Sequence, residues 1–290
     1  MSVFLLKLIA IVSMFIDHLT YVARLSHFLP RGHLYFLGRA VGRPAFVIFC
    51  FLLVNGFDRT RDRKRYLSRL VLFALIAQVP YSLAFSAENY SGTAAASCSY
   101  RVLAALPMLL PLLAWYLYVC RRRFEPSLLW IAAALAIAPL DLCAAGLWLT
   151  VHTDLNVFYT LAVSMATMMF FDSLRSEERN WGKTLLIAAA LAAVLYFVQS
   201  DADYDYAGVI LILSLYFCRG EKLPQLAVAA LWCLFEYRGY WPYQLGALAA
   251  LLPLALYNRS LGPKMRTAFY VFYPAHLTLL GVVFMLLARK

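Results

Sequence analysis

The chain has 290 residues, 63% of them hydrophobic and only 14% charged, with a mean hydropathy of +0.72 and a formal net charge of +11. A soluble domain cannot hide that much apolar surface, so the composition excludes ordinary soluble enzymes and defines an integral membrane protein. The positive charge does not call for a nucleic-acid partner, because a membrane protein gathers Lys and Arg on one side for topological reasons alone.

The apolar runs are long and continuous, which selects helices over the alternating strands of a barrel. They predict an all-α, polytopic membrane helical bundle with spans at 3–25, 34–57, 66–87, 101–120, 127–149, 156–174, 182–199, 204–218, 223–237, 243–258 and 266–288. That is about 11 transmembrane helices, with 10 to 12 as the range, because the runs at 204–218, 223–237 and 243–258 are short enough to tilt or re-enter. The first run lacks a small-residue cleavage site and carries Asp17 and His18, so no cleavable signal is expected.

Most of the 26 basic residues fall in alternate loops: Arg59, Arg61, Arg63, Lys64, Arg65 and Arg69, then Arg121 to Arg123, Arg175, Arg179, Lys183, Arg219, Lys222, Arg259, Lys264 and Arg266. The lysine and arginine bias therefore puts the amino terminus in the cytoplasm and the carboxyl terminus outside. Six cysteines are scattered without C-x-x-C spacing and read as small core hydrophobes, and His27, His33 and His152 read as solvated loop residues. No metal is expected.

Charged residues inside a span cost about 2.5–3.5 kcal/mol each on the insertion scale, so their positions mark the bundle interior or a wet cavity. In the first span Asp17 and His18 are neighbours, set ~100° apart around a helix, and each needs a partner from another span. In the second span Arg39 and Arg43 share one helical face, and Pro44 frees the carbonyl of Ala40. An Asp17–Arg43 pair follows from the matching depth, either as a buried ion pair that fixes register or as part of a site. His276 lies ~15 Å into the last span, after Tyr273 and Pro274; it is either an imidazole satisfied by a freed carbonyl or a second functional base. Asn55, Gln78 and the Asn156–Thr160 pair are lesser polar signals. The stretch "DADYDYAG", with Asp201, Asp203, Asp205, Tyr206 and Gly208, is either an external mouth for a cationic acceptor or an acidic solvated loop.

The blocks "LLKLIAIVSMFIDHLTYV", "GRPAFVIFCFLLVNGF", "RTRDRKRYLSRLVLFALIAQVPYSLAF", "NVFYTLAVS" and "FYVFYPAHL" together resemble the TraX family, whose founding member is the F-pilin N-acetylation protein. That family is similar in turn to the transmembrane acyltransferase superfamily. The resemblance spans most of the chain, which reads as a single domain over 1–290. It implies a multi-pass protein of the bacterial cytoplasmic (inner) membrane that moves an acetyl group from acetyl-coenzyme A to a protein or glycan acceptor. Carried over by position, the implied site is Asp17, His18, Arg43, Asn156, Tyr206 with Gly208, and His276. The chain departs from the family pattern at Pro44, Val47 and Asn55, and the stretch 87–153 is a family-atypical insertion with two extra spans.

Acetyl transfer from a thioester needs a neutral nucleophile, a base for its proton and a donor for the developing oxyanion. His18 fits the base, with Asp17 orienting the site and Arg43 or Asn156 steadying the oxyanion; a histidine that itself takes the acetyl group is the alternative. The loop carrying Arg59, Arg61, Arg63, Lys64 and Arg65 offers the densest cation cluster for coenzyme A phosphates, although topology alone would also create it. Asp203, Asp205, Tyr206, Gly208 and Arg39 are the candidates for holding the acceptor. Two other classes compete: a secondary transporter with ionisable residues at the midplane, and a noncatalytic assembly subunit of an envelope or secretion system.

The topology has a direct test. In a background without native cysteines, a cysteine replacing Ser176 should be shielded from an impermeant thiol reagent outside intact cells, and one replacing Ala202 should react. The opposite labelling pattern would invert the orientation.

Overall fold

A backbone in lipid must close its hydrogen bonds within its own segment, and every regular element among the described residues is helical. The computed structural model describes residues 1–85, 155–175, 204–235, 243–263 and 266–288. The expected spans at 101–120, 127–149 and 182–199, and the insertion 87–153, lie outside these residues or almost so.

The elements in chain order are α1 (Val3–Leu25), α2 (His33–Gly42), α3 (Pro44–Arg59), α4 (Arg63–Phe85), α5 (Val157–Arg175), α6 (Asp205–Phe217), α7 (Lys222–Phe235), a 3₁₀ segment (Tyr243–Ala250), α8 (Leu251–Ala255) and α9 (Arg266–Ala288). Four stretches are long and apolar enough to cross a membrane: Val3–Leu25, His33–Arg59, Arg63–Phe85 and Thr267–Ala288. The shorter apolar helices Val157–Asp172, Tyr206–Phe217 and Lys222–Phe235 stand where the sequence places further spans.

Local chemistry explains several boundaries. The Ser2 hydroxyl accepts the Leu5 N–H at 3.3 Å and caps α1, and Arg24 in the last turn complements the helix dipole. The second span is broken, as Pro44 predicts: Arg43 keeps helical angles and donates its N–H to Arg39 O at 3.2 Å, then the proline ends the ladder. The span expected at 243–258 is not one α-helix. Its first 8 residues form a 3₁₀ helix, an unusually long run of that type.

The residues divide into two compact units. One holds 1–58, 79–99 and 214–290, hence α1, α2, α3, α7, the 3₁₀ segment, α8 and α9 with the ends of α4 and α6. In it α2 packs between α1 and the 3₁₀ segment, and α1 also packs against α9. Among its aromatic contacts, Phe57 meets Tyr216 edge-on at 5.6 Å and Phe51 meets Tyr257 edge-on at 5.4 Å. The other unit holds 59–78 and 100–213. Within it the buried side chains of Leu67, Val71 and Ala74 come from α4, and those of Met165 and Met168 from α5.

Glycines set how closely α2 is approached. A Cβ on Gly38 would lie 2.2 Å from Thr20 Oγ1, one on Gly42 2.2 Å from Asp17 Cβ, and one on Gly246 2.1 Å from the Ala40 carbonyl oxygen. Small residues one turn apart let helices in lipid pack backbone to backbone. The Ala40 carbonyl that Pro44 leaves without its helical donor is the atom pressed against Gly246. Gly246→Ala should therefore lower the thermal midpoint of the purified protein by the equivalent of about 1–3 kcal/mol, because backbone atoms cannot yield. Gly32→Ala, where nothing lies within 4 Å of the added carbon, should lower it less, through the poorer N-cap alone.

Candidate active site

The close packing of α1 on α9 sets two histidines side by side. His18 Nδ1 and His276 Nε2 are 2.7 Å apart. The ring planes differ by only 7° and the centroids are 5.0 Å apart, the separation that two ring radii plus this contact give. The imidazoles thus lie edge to edge in nearly one plane, the geometry of an in-plane hydrogen bond and not of a face-to-face stack.

A carbonyl fixes the tautomer. His276 Nδ1 is 2.8 Å from the Phe272 carbonyl oxygen, which can only accept, so Nδ1 carries the hydrogen. With both rings neutral, His276 Nε2 is then an acceptor and His18 Nδ1–H donates to it. The remaining nitrogen, His18 Nε2, is left with its lone pair. A carbonyl does satisfy His276, but it is that of Phe272, one turn before it, and not the Tyr270 carbonyl that Pro274 frees.

Aromatic rings enclose this pair. The Phe272 ring stacks on His276 at 4.7 Å, Phe15 and Tyr273 meet it edge-on at 6.2 and 5.6 Å, and Phe85 meets His18 at 5.1 Å. His276 is buried and His18 half-buried. Such walls keep water from competing for the imidazole bonds.

Beside the histidines, Asp17 Oδ2 accepts from Arg39 Nη1 at 2.6 Å, with both side chains nearly buried. This corrects the Asp17–Arg43 pairing. Gly42 is the residue of α2 that lies against Asp17, and Arg39, three residues before it, lies close to the same face of the helix and reaches the carboxylate. A further ~100° step carries Arg43 toward the 3₁₀ segment. There its guanidinium is 5.4 Å from the Tyr243 ring, while that of Arg39 lies 4.8 Å from Tyr21 and 6.0 Å from Tyr243. Among the described residues, Asp17 Oδ1 and Arg39 Nε are buried without a hydrogen-bond partner.

His18, His276, Asp17, Arg39 and Arg43 therefore gather in one unit. Asn156 belongs to the other, where it begins α5. Its Nδ2 donates to Ala74 O at 2.8 Å and Gln78 Oε1 at 2.7 Å, and its Oδ1 accepts the Phe158 N–H at 3.1 Å. Every polar atom of that amide is engaged in holding the helix start against α4. Asp205, Tyr206 and Gly208 form the first turn of α6, where Gly208 N–H donates to Tyr204 O at 2.9 Å and Tyr206 is exposed. Asp203 lies outside the described residues. In the basic loop Arg59, Arg61 and Arg65 are exposed, whereas Arg63 forms an ion pair with Asp172. Among the described residues no three His, Cys, Asp or Glu side chains gather as they would to hold a metal ion.

Reading the sequence alone missed Tyr21 and Tyr243, which carry no charge and look like ordinary interfacial aromatics. It also passed over Gly38-x-x-x-Gly42, a spacing that signals close helix packing in lipid and would have placed Asp17.

A polytopic helical membrane protein with ionisable side chains gathered inside the bundle is the class these features define. The model of the family described as TraX protein matches residues 2–110 and 101–284, and the chain belongs to that family. It is also similar to a protein of Dichelobacter nodosus described as "Probable fimbrial assembly protein FimC, serogroup H1", with 43% identity over 82 residues. That match takes in 28% of this chain and 32% of the other protein. No solved structure matches the chain.

The buried ion pair has a measurable signature. Asp17→Asn leaves the Arg39 guanidinium without its carboxylate and should cost about 3–5 kcal/mol of stability, read as a fall in thermal midpoint in detergent. The double change Asp17→Asn with Arg39→Met should recover most of the loss, since removing both charges removes the penalty. A double variant no more stable than Asp17→Asn alone would show that the pair is not the source.

Proposed function

We propose that the protein is a membrane acyltransferase that moves an acetyl group from cytosolic acetyl-coenzyme A to an amine or hydroxyl of a pilin-like peptide or envelope glycan, in the bacterial inner membrane. The observation that supports it most is the directed chain from the Phe272 carbonyl through His276 to His18, which presents one imidazole lone pair inside an apolar enclosure. Family membership and the likeness to a protein described as acting in fimbrial assembly favour a pilin-like acceptor.

In this reading His18 Nε2 takes the proton of the acceptor N–H or O–H as the acceptor attacks the thioester carbonyl carbon. The carbonyl π electrons move to oxygen, and the oxyanion is met by a guanidinium, Arg43 or Arg39. Collapse of that intermediate breaks the C–S bond, and the leaving thiolate takes the proton back from His18. The products are the acetylated acceptor and coenzyme A thiol. His276 acts on His18 and not on the substrate: it holds the ring in the productive tautomer and shares the positive charge that appears on it. Asp17, already bound to Arg39, keeps the guanidinium from collapsing onto the imidazoles. Coenzyme A phosphates meet the basic loop, with the exposed Arg59, Arg61 and Arg65 foremost and Lys64 near them; Arg63 is committed to Asp172.

The test is transfer or hydrolysis of radiolabelled acetyl-coenzyme A by the purified protein, which a transporter or assembly subunit would not perform. His18→Ala should reduce the rate by ~10²- to 10⁴-fold, the usual worth of a positioned base, while the protein still purifies as a monodisperse species. Retention of more than about a tenth of the activity would remove His18 from that role. If His276→Ala is the more damaging change, the two roles are exchanged.

A further inference from the structure

We infer that Tyr243 is a positioning residue that holds Arg39 and Arg43 side by side as the anion-binding pair of the site. The local structure explains how one tyrosine reaches both. In a 3₁₀ helix residues i and i+3 eclipse one another, so Tyr243 and Gly246 share an edge. Gly246 is pressed against the Ala40 backbone, and this seats the Tyr243 ring over the turn of α2 that runs from Arg39 to Arg43.

Two guanidinium ions one helical turn apart repel each other, and Asp17 pairs with Arg39 at 2.6 Å. The negative face of an aromatic ring is attractive to both, most strongly where water is excluded. The Arg43 and Arg39 guanidinium carbons are 5.4 and 6.0 Å from the Tyr243 centroid. The ring itself cannot turn away: it is buried, lies against Phe36 at 5.9 Å and 26°, and meets Tyr35 edge-on at 6.4 Å. Arg39 keeps its Nε donor without a partner, as a group awaiting an anion would. On the acyl-transfer reading, on which this role rests, that anion is the oxyanion formed at the thioester carbonyl. The ring then contributes to catalysis by keeping two cations where charge develops.

The experiment replaces Tyr243 in the full-length protein with Phe, with Leu, and with phenylalanines carrying one, two and three fluorines, which weaken the ring's negative face at nearly constant volume. Phe should stay within ~3-fold of wild type, and Leu should lower kcat by ~10-fold or more with a smaller change in KM for acetyl-coenzyme A. Along the fluorinated series kcat should fall stepwise. A flat series, or a Phe variant as impaired as Leu, would overturn the inference, because the ring would then be packing or its hydroxyl would be acting. If Leu fails to fold, the fluorinated series decides alone. The thermal midpoint gives a readout that needs no activity: trifluorination should shift it less in an Arg43→Met background than in one with Arg43 intact. Equal shifts would sink the clamp. If wild-type protein transfers no acetyl group while the midpoints still couple, the acyltransferase reading fails and the clamp stands.

Discussion

Everything placed around α2 depends on close approach at glycines in a medium that offers no hydrophobic force between helices. Lipid tails are as apolar as leucine, so helices associate through van der Waals contact and the few polar bonds that contact allows. Gly38 and Gly42 let α1 approach one side of α2, and Gly246 lets the 3₁₀ segment approach the other. A methyl group at any of these places would meet another atom at 2.2 Å or less. Without that proximity Asp17 could not reach Arg39, and Tyr243 could not lie over the two arginines. The Pro44 break belongs to the same arrangement, since the Ala40 carbonyl it frees is the atom lying against Gly246.

Close packing alone would give a rigid bundle; direction comes from the hydrogen-bond chain. A backbone carbonyl has no proton to give, so it orders everything upstream of it. Phe272 O sets His276, His276 sets His18, and the last nitrogen in line is an acceptor. Two neutral imidazoles suit a span better than a carboxylate, because they hold no net charge. The aromatic walls of Phe15, Phe85, Phe272 and Tyr273 strengthen these bonds by keeping water out.

Much of this was legible in the sequence because lipid penalises polar residues so severely that their positions are informative one by one. Asp17, His18, Arg39, Arg43 and His276 each stood out in an apolar run, and the structure gathers them in one unit. The boundaries of α1 and α9 coincide with the apolar runs, since length and hydropathy are what a span requires. Pairing was less legible. Depth alone could not choose between Arg39 and Arg43, which differ by one turn, and the choice turns on which residue faces Gly42. The 3₁₀ segment was illegible for a related reason: an apolar stretch looks the same in either helix type, and only its packing against Ala40 separates them. Tyr243 was hidden because an aromatic ring becomes a cation site only through what stands opposite it.

The contrast between Asn156 and His18 shows why a buried polar residue is not by itself a functional one. Both lie in apolar surroundings and both were candidates for chemistry. Asn156 has four hydrogen-bonding positions on its side chain, and its bonds to Ala74, Gln78 and Phe158 tie both of its polar atoms to the scaffold, which is what stability demands of a buried amide. His18 is tied at one nitrogen only, and the tautomer imposed through that bond leaves the other as an acceptor, which is the base of the proposed reaction. On the proposed acyl-transfer reading, chemistry falls to the group that the fold satisfies incompletely while fixing its orientation. In the unit built on α1, α2 and α9 that description fits His18, with the unpartnered Oδ1 of Asp17 and Nε of Arg39 beside it.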